Sequence, residues 1–255
     1  MASTPLYKDS VYVDIKPDKA RKYPGERAGY YNGNKMKNIA NIADQVGYPP
    51  ERAVAVSLRE GGAGEITPQN PYGYPFVVNK HSFIKIKGPK GKEKNDYSDI
   101  EKLDAASYKA ATPARENRYK LENKMFEASN AAGWKGLDAL NNEMLTPEQQ
   151  TKIKDNYTRR SHKELKGILQ EISDRERADE STGMGIEALK IKADYARSLG
   201  KRGAEAELTA NQGFGKVKYN KGTAKEEIVD NEKTNAYGKD VLAIENEVKP
   251  LLRKK

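Results

Sequence analysis

The sequence predicts a mainly α-helical fold, and three observations lead to this expectation. First, apolar residues recur at the helical spacing of three and four positions in most of the longer segments that contain them. Second, proline and glycine stand where these periodic segments begin or end. Third, the candidates for strands are few and short: 10–15, 76–78 and 82–87. The sequence shows no internal repeat and no heptad pattern long enough for a coiled coil.

Composition limits the kind of protein this chain forms. Its 255 residues suffice for one domain of good size or two small ones. Because hydrophobic residues make up 36% and charged residues 33%, we expect a modest core with extended arms or long surface helices. The formal net charge of +9 favours polyanionic partners such as nucleic acid, anionic lipid or an anionic cell envelope. The absence of cysteine excludes disulfides, thiolate zinc sites and cysteine nucleophiles.

The N-terminal segment has neither of the two common apolar signatures. The first thirty residues contain no apolar run of signal-peptide length, so no signal peptide is predicted. No stretch of the chain approaches the roughly 20 consecutive apolar residues of a membrane span. The segment 1–35 is instead rich in Tyr, Lys, Pro and Gly, with a strand candidate at 10–15. We interpret 1–35 as an extended arm that lies on another surface.

A predicted helical hairpin follows this arm. Apolar residues at helical spacing predict a helix over 36–46, and Gly47 followed by Pro49 ends it. A second helix is predicted over 50–60, because proline suits the first helical turn and the residues that follow are mostly apolar. The connection between the two helices is very short, so we expect them to pack against each other.

Glu60 is the one carboxylate on the last turn of the second helix. Gly61-Gly62 ends the helix, since glycine tolerates the left-handed conformation at a helix terminus. A carboxylate at the mouth of a buried helix lies half in an apolar wall and half in a cleft. In such surroundings the pKa of a glutamate side chain rises and the group can serve as a general acid.

The remaining elements are predicted in chain order. A loop over 61–75 leads to two short strands or a flap at 76–78 and 82–87, followed by a solvated loop at 88–96. Helices are then predicted over 99–132 with a break near Thr112-Pro113, 147–173, 186–199, 204–210 and 236–252.

Three segments carry a resemblance to a known family. The first, 38–64, is a helix pair whose second helix ends in a glutamate followed by glycines. The second is the loop Asn70-Pro71-Tyr72-Gly73, and the third is 207–245, in which Tyr237 opens the final helix. Together they resemble the lysozyme-like peptidoglycan hydrolases of phages, in the branch of lytic transglycosylases and goose-type lysozymes. The resemblance covers about half of the chain and is discontinuous.

This resemblance implies a domain division and a reaction. Residues 36–255 would form a lysozyme-like domain, with 76–185 as an insertion comprising a flap and a helical region. The chain would cleave the β-1,4 glycosidic bond of the glycan strand with Glu60 as general acid and base, while the N-acetyl group of the substrate attacks from within. Glu65, five residues later, is the alternative second carboxylate of a hydrolytic mechanism. No cofactor is expected.

The same resemblance suggests residues that bind the sugar, listed here: Tyr72, Tyr74, Asn211, Gln212 and Tyr237. The aromatic rings would stack on sugar faces, and the amides would bond to an N-acetyl group. The chain departs from the family in one motif, because the usual Ala-Tyr-Asn-Gly is replaced by Ala-Asn-Gln-Gly at 210–213. Tyr219-Asn220, slightly later, is the other segment that supplies a Tyr-Asn pair, and the sequence leaves both alignments open.

Other motifs receive no chemical role. His81 and His162 lie far apart with no Asp or Cys constellation around either, so no metal site is predicted. The glycine-rich segments at 61–64 and 213–216 lack the spacing of a phosphate-binding loop. The basic segment 80–94 is interpreted as a solvated loop rather than a nucleic-acid groove.

Three functions follow from these observations. The first is a virion-associated phage enzyme that degrades peptidoglycan in the host envelope or periplasm and contacts other tail or ejection proteins through the arm 1–35. The second is a structural or ejected virion protein that keeps a degenerate lysozyme-like fold without activity. The third is a basic protein that binds nucleic acid without sequence specificity, and charge alone motivates it.

Overall fold

A computed structural model of the chain describes residues 10–13, 29–61, 64, 73–89, 91–131, 159–200, 203–204, 208, 217–220, 225–228 and 232–252. These residues are mainly helical with small antiparallel strand pairs, which confirms the predicted fold class. Within the same residues, no helix combines the length and the apolar character needed to cross a membrane.

The described elements are five α-helices, one 3₁₀ turn and six short strands. In chain order they are β1 Ser10–Val13, β2 Gly29–Asn32, α1 Gly33–Val46, α2 Pro50–Gly61, the 3₁₀ turn Lys80–Phe83, β3 Lys85–Lys87, β4 Lys94–Asp96, α3 Ser98–Ala131, α4 Arg159–Ser198, β5 Val217–Asn220, β6 Lys225–Ile228 and α5 Glu232–Leu252. The strands pair antiparallel as β1 with β2, β3 with β4 and β5 with β6.

The chain divides into two compact units. The first unit contains Met1–Ala110 and Ala178–Lys255, and the second contains Ala111–Arg177. Both boundaries therefore lie inside the segment 76–185 that the resemblance implied to be an insertion. Of the predicted arm 1–35, the described residues form β1, β2 and the first turn of α1, and β1 contacts α5.

The predicted helical hairpin is present as α1 and α2. The Asn32 side chain caps α1 by accepting hydrogen bonds from the backbone N–H groups of Asn34 and Lys35, at 3.0 and 3.1 Å. Gly47 ends α1 in the left-handed conformation at φ 76°, which glycine adopts without steric cost. Tyr48 then donates its backbone N–H to the Ala43 carbonyl at 2.9 Å, closing the helix end. Local sequence therefore sets this turn.

Helix α2 is the centre of the first unit. Its residues 53–56 have no exposed surface, and Ser57 and Leu58 are also buried. The helix is buried on every side over about one and a half turns, so it has to be enclosed by other elements. It packs against α1 and α5, and the same core includes Ile186 and Leu189 of α4. The enclosure places the last turn of α2, with Glu60, beside α4 and α5.

Of the two alternatives predicted for 76–78, a strand or a flap, the strand is wrong. The carbonyl of Phe76 accepts a hydrogen bond from the Ser181 hydroxyl at 2.6 Å, and the Pro75 carbonyl accepts one from Ser57 at 3.3 Å. Two helices therefore satisfy the backbone that a neighbouring strand would otherwise satisfy. The partner of β3 is instead β4, which lies in the segment predicted to be a solvated loop.

Two helix predictions also need correction. The break predicted near Thr112-Pro113 is absent, and α3 continues through Pro113. A proline removes one backbone donor and does not have to end a helix whose flanks are packed, and Ala111 and Ala114 are buried on either side of it. The helices predicted at 147–173 and 186–199 share the single helix α4, whose described residues begin at Arg159. The start predicted at 147 lies outside the described residues.

Helix α4 continues because its polar middle section has partners. Glu176, in the second unit, accepts hydrogen bonds from Arg115 and Arg118 at 2.8 and 2.7 Å. Asp179, in the first unit, accepts one from Asn38 at 2.5 Å. Glu176 and Asp179 are buried despite their polarity, and buried polar groups need such partners. The interval between the helices predicted at 147–173 and 186–199 is therefore held by buried polar contacts and is not a helix end.

Predictions near the C-terminus have mixed outcomes. The final helix was predicted over 236–252 and is present as α5, which begins four residues earlier. The pair of strands β5 and β6 was not predicted. Most of the short helix predicted over 204–210 lies outside the described residues.

Candidate functional site

Glu60 lines a cavity of about 230 Å³ in the first unit. Its side chain is exposed, whereas the sequence analysis expected the carboxylate to lie half in an apolar wall. The other described residues that line the cavity come from the segment after α2 and from α4: Phe76, Val77, Val78, Asn79, Ser82, Phe83, Gly185, Ala188, Leu189 and Lys192. The carboxylate therefore meets a space large enough to hold a small ligand.

One oxygen of this carboxylate is fixed by α5. The Tyr237 hydroxyl donates a hydrogen bond of 2.6 Å to Glu60 Oε1. Tyr237 is buried, with 4% of its surface exposed. Burial raises the pKa of the Tyr237 hydroxyl well above its usual value, and the negative charge of Glu60 raises it further. Tyr237 consequently remains a hydrogen-bond donor over the whole range in which proteins work.

The ring of Tyr237 is itself held in place by a charged pair. The Arg59 guanidinium lies 5.5 Å from the centre of the Tyr237 ring, a distance that allows a cation–π interaction. Arg59 Nε also donates to Asp240 Oδ2 at 3.2 Å, and Asp240 is buried one turn further along α5. Two contacts therefore join α2 to α5: Glu60 with Tyr237, and Arg59 with Asp240. Together they fix the direction of the Glu60 side chain.

The polar edge of the cavity is a short turn with its own hydrogen bonds. The Asn79 side chain accepts from the backbone N–H of His81 at 3.1 Å, and the Ser82 hydroxyl donates to the Asn79 carbonyl at 2.7 Å. Val77, at the same edge, has 89% of its surface exposed. An exposed valine at the edge of a cavity offers apolar contact to a ligand.

A charged residue of opposite sign lines the same cavity. Lys192 Nζ lies 6.0 Å from the centre of the Phe83 ring, and the lysine side chain is half-buried. Burial lowers the pKa of the Lys192 ammonium, and the charge of Glu60 acts in the opposite direction. The negative charge of Glu60 and the positive charge of Lys192 therefore interact across the cavity.

The two described glycines of the segment after Glu60, Gly64 and Gly73, lie next to each other. Lys35 Nζ donates to the Gly64 carbonyl at 2.6 Å. Gly64 has φ 81°, and a Cβ atom there would lie 2.7 Å from the Gly73 carbonyl oxygen. Only glycine allows this approach, so Gly73 of the Asn-Pro-Tyr-Gly loop lies directly against Gly64.

The structure brings two of the predicted site residues together. Glu60 and Tyr237 are hydrogen-bonded, although the sequence analysis assigned Tyr237 to sugar stacking and the structure shows its ring buried against Arg59. Tyr74 is half-buried and is not among the described residues that line the cavity. The remaining predicted site residues lie outside the described residues: Glu65, Tyr72, Asn211 and Gln212.

The two histidines lie in different units, and neither lines the cavity. His81 is exposed, and His162 is buried in the second unit, where burial lowers the pKa of its imidazole. Among the residues that the structure describes, no group of three or more His, Cys, Asp and Glu side chains is placed to hold a metal ion.

Sequence reasoning missed Lys192. Its position was nevertheless detectable, because Gly185, Ala188, Leu189 and Lys192 are spaced i, i+3, i+4 and i+7 and therefore share one face of α4. A lysine that extends the apolar face of a helix indicates a positive charge beside a core or a cavity.

Comparisons with protein-family models, with curated proteins and with solved structures found no significant match to this chain.

Proposed function

We propose that this chain is a peptidoglycan-degrading enzyme that cleaves the β-1,4 glycosidic bond of the glycan strand, with Glu60 as its general acid and base. The observation that carries the proposal is the placement of Glu60 on the wall of the cavity, with one carboxylate oxygen held by Tyr237 at 2.6 Å. A positioned carboxylate beside a ligand-sized space is the minimum that acid catalysis of glycoside cleavage requires. The resemblance of 38–64 to the lysozyme-like hydrolases supplies the substrate class.

The hydrogen bond from Tyr237 distinguishes the two carboxylate oxygens of Glu60. Oε1 accepts the Tyr237 hydrogen bond, so we assign the transferred proton to Oε2. In the first step this proton passes to the leaving glycosidic oxygen while the N-acetyl group of the substrate attacks the anomeric carbon. In the second step Glu60 takes a proton from the incoming nucleophile, which is water in hydrolysis or a hydroxyl of the sugar itself in transglycosylation.

The proposal includes a location. A net charge of +9 suits an anionic envelope, because basic surfaces concentrate near polyanions. We assign the enzyme to the phage virion, from which it would act in the host envelope or periplasm. The N-terminal arm 1–35 is the segment we propose to contact other tail or ejection proteins.

Substitution of Glu60 by glutamine tests the assignment. Glu60→Gln keeps the size of the side chain and an oxygen that can accept the Tyr237 hydrogen bond, but it cannot transfer a proton. We expect it to abolish clearing of cell walls in a zymogram while the melting temperature changes little. Glu51→Gln, the same replacement in the first turn of α2, serves as the matched control and should clear normally. Undiminished clearing by Glu60→Gln would discard the catalytic role.

Mass spectrometry of the digested peptidoglycan identifies the reaction. A reducing end gained with one water indicates hydrolysis, and a 1,6-anhydro end indicates transglycosylation. Both results support glycosidic cleavage, whereas fragments cut within the peptide would contradict it.

One observation favours a second candidate, a non-catalytic virion protein. The buried Tyr237 hydroxyl needs an acceptor, and Glu60 supplies it, so the carboxylate also has a structural use. On this alternative the wild-type protein leaves peptidoglycan intact, and loss of the Glu60 oxygen acceptor lowers stability. Glu60→Ala compared with Glu60→Gln in thermal unfolding measures that structural contribution separately from activity.

A further inference from the structure

The hairpin formed by β3 and β4 is a feature of the first unit that the candidate site does not use. Every strand residue except Asp96 is exposed, and so are the described residues of the turn between the two strands. The turn has a defined shape, because the backbone N–H of Lys92 donates to the Pro89 carbonyl at 2.8 Å. Gly88 at φ 116° and Gly91 at φ 88° supply the left-handed conformations of this turn. The hairpin is therefore an ordered element that little of the described protein covers.

The hairpin is attached to the protein at its base. Phe83, two residues before β3, is buried in a core cluster with Leu103 and Ile191. Lys85 Nζ lies 2.5 Å from Oδ2 of Asp99, a buried residue in the first turn of α3. A hairpin that is held at its base and uncovered at its tip can contact a partner without rearrangement of the core.

One face of the hairpin carries an exposed aliphatic side chain. Ile86, in the middle of β3, has 70% of its surface exposed, and its partner across the two strands is Asn95. The Asn95 amide donates to the Tyr97 hydroxyl at 3.1 Å, and Tyr97 is 47% exposed. An isoleucine side chain gains free energy only when apolar atoms replace the water around it. This face therefore favours an apolar partner with a polar boundary, since Asn95 and Tyr97 keep polar groups beside Ile86.

The other face of the hairpin and its turn carry positive charge. Lys87 and Lys94 lie directly opposite each other in the strand register, and like charges in such positions repel. Lys87 Nζ has a carboxylate partner, since Asp96 Oδ2 lies 2.5 Å away. For Lys92 and Lys94, no ion-pair partner is present among the residues that the structure describes. An external anion would therefore meet two ammonium groups without a carboxylate partner at the end of the hairpin.

We propose that the tip of the β3–β4 hairpin attaches the protein to the surface of an anionic phospholipid bilayer. Ile86 enters the boundary between headgroups and acyl chains, and Lys92 and Lys94 contact lipid phosphates. A two-stranded hairpin is thin, so a bilayer that meets its tip contacts both of its faces. The long methylene stems of the lysines let their ammonium groups remain at the headgroups while Ile86 is buried. This role does not depend on glycan cleavage and goes beyond the proposed function.

Positive charge alone would equally attract nucleic acid, and Ile86 distinguishes the two partners. Sites for single-stranded nucleic acid combine lysine and arginine with aromatic rings that stack on the bases. The exposed side chain at the centre of β3 is aliphatic instead, and Tyr97 beside it belongs to a residue type that is enriched at membrane interfaces. A bilayer therefore accounts for both the charge and the exposed isoleucine, whereas nucleic acid accounts only for the charge.

Sedimentation with lipid vesicles measures the attachment. The full chain is mixed with vesicles of phosphatidylglycerol and phosphatidylcholine in equal parts, or with vesicles of phosphatidylcholine alone. We expect binding to the anionic vesicles to be roughly tenfold stronger or more, since each lysine near an anionic surface contributes roughly fivefold and Glu93 offsets part of this effect. Salt at about 1 M should remove most of the difference, because the screening length falls to about 3 Å. Equal binding to both kinds of vesicle, or to neither, would overturn the proposal.

Charge variants assign the binding to the hairpin. Lys92→Gln combined with Lys94→Gln should weaken binding to the anionic vesicles roughly tenfold, and Glu93→Gln should strengthen it severalfold. Lys120→Gln combined with Lys124→Gln removes the same charge from exposed residues of the second unit and should bind as the wild type does. Equal losses in the two double variants would show that the net charge of the whole chain attracts the lipid, and the role of the hairpin would be refuted.

A label at position 86 measures insertion separately from charge. The chain has no cysteine, so Ile86→Cys can be labelled at one position with a dye whose emission shifts to the blue in apolar surroundings. Anionic vesicles should shift this emission, whereas the same dye on Ile168→Cys, at an exposed isoleucine of the second unit, should keep its emission. Ile86→Ser should weaken vesicle binding roughly tenfold, because one apolar side chain is lost from the contact. Vesicle binding without a blue shift at position 86 would refute the insertion.

A labelled single-stranded DNA in the same buffer measures the competing partner. If the protein binds this DNA through Lys92 and Lys94 and does not bind the anionic vesicles, the hairpin is a nucleic-acid site and the proposal is refuted. Vesicle binding that requires both the lysines and Ile86 supports the proposal, whether or not the protein cleaves peptidoglycan.

Discussion

Tyr237 and Glu60 are joined by a hydrogen bond of 2.6 Å although 177 positions of the chain separate them. The bond connects the last turn of α2 to the second turn of α5, and Arg59 with Asp240 connects the same two helices at 3.2 Å. The exposed carboxylate is consequently attached to a buried framework. This relationship, rather than the glutamate alone, gives the candidate site a defined direction.

Tyr237→Phe measures what the hydrogen bond contributes. The phenyl ring keeps the packing beside Arg59 but removes the donor, so Glu60 gains rotational freedom. On the proposed catalytic role of Glu60, we expect kcat to fall roughly tenfold or more with little change in KM, because catalytic groups that are poorly oriented react slowly. Thermal unfolding should show a loss of about 1 kcal/mol, the usual net value of one hydrogen bond.

Tyr119→Phe is the control for this substitution. Tyr119 is 51% exposed and lies in the second unit, so loss of its hydroxyl should change neither activity nor stability measurably. Full activity in Tyr237→Phe would show that Glu60 does not depend on the tyrosine for its orientation.

Gly185→Ala tests how closely α4 approaches the segment after α2. A Cβ atom at Gly185 would overlap the side chain of Phe76, and Phe76 is buried and lines the cavity. We expect a loss of about 1–3 kcal/mol, typical of overpacking, together with a smaller cavity and weaker ligand binding. Urea denaturation followed by circular dichroism measures the stability.

The matched substitution is Gly167→Ala in the same helix. A Cβ atom at Gly167 meets nothing within 4 Å, and alanine is the better helix former. This variant should be more stable by about 0.5–1 kcal/mol. A stability gain at both positions would contradict the close packing described at Gly185.

Glu176 predicts a pH dependence of stability in the second unit. Burial by itself raises the pKa of the Glu176 carboxyl, but the hydrogen bonds from Arg118 and Arg115 outweigh it, so the pKa lies below its ordinary value. A carboxylate with a lowered pKa in the folded state stabilises the protein above the pKa of the unfolded state. That stabilisation is lost as the pH falls through the folded-state pKa.

Glu176→Gln isolates this contribution. The free energy of unfolding of the wild type should exceed that of the variant by about 1.5–3 kcal/mol at neutral pH, the range for hydrogen bonds to charged groups. The difference should shrink as the pH falls below about 4, where the reference carboxyl takes up its proton. A difference that stays constant from neutral to strongly acid pH would show that the charge of Glu176 is not what matters.

The helical hairpin was predictable because its signals are local. Gly47 and Pro49 define a turn within three residues, and the apolar run at 53–58 can be stable only when it is enclosed. The position of Glu60 at the end of that run follows directly from helix geometry. The same local reasoning failed at 76–78 and 94–96, where the choice of strand depends on which backbone groups find partners elsewhere.

The long helices α3 and α4 show the same difference between what local sequence predicts and what distant partners decide. Their apolar spacing predicted helix over most of α3 and α4, but the apparent interruptions at Pro113 and 174–185 were not helix ends. Glu176 and Asp179 lie between the two predicted helices, and their partners Arg118 and Asn38 are far away along the chain. No local pattern identifies such partners.

The sequence by itself determined that this protein is mainly helical and that Glu60 stands where a buried helix ends, because helix spacing and helix termination depend on neighbouring residues. Only the tertiary structure decided what surrounds that carboxylate. The packing of α5 brings Tyr237 to one of its oxygens, and the packing of α4 places Lys192 on the same cavity. These placements arise because the buried sides of α2 must be covered by other helices. The helices α4 and α5 that cover α2 also bring polar residues to the end of α2 where Glu60 lies.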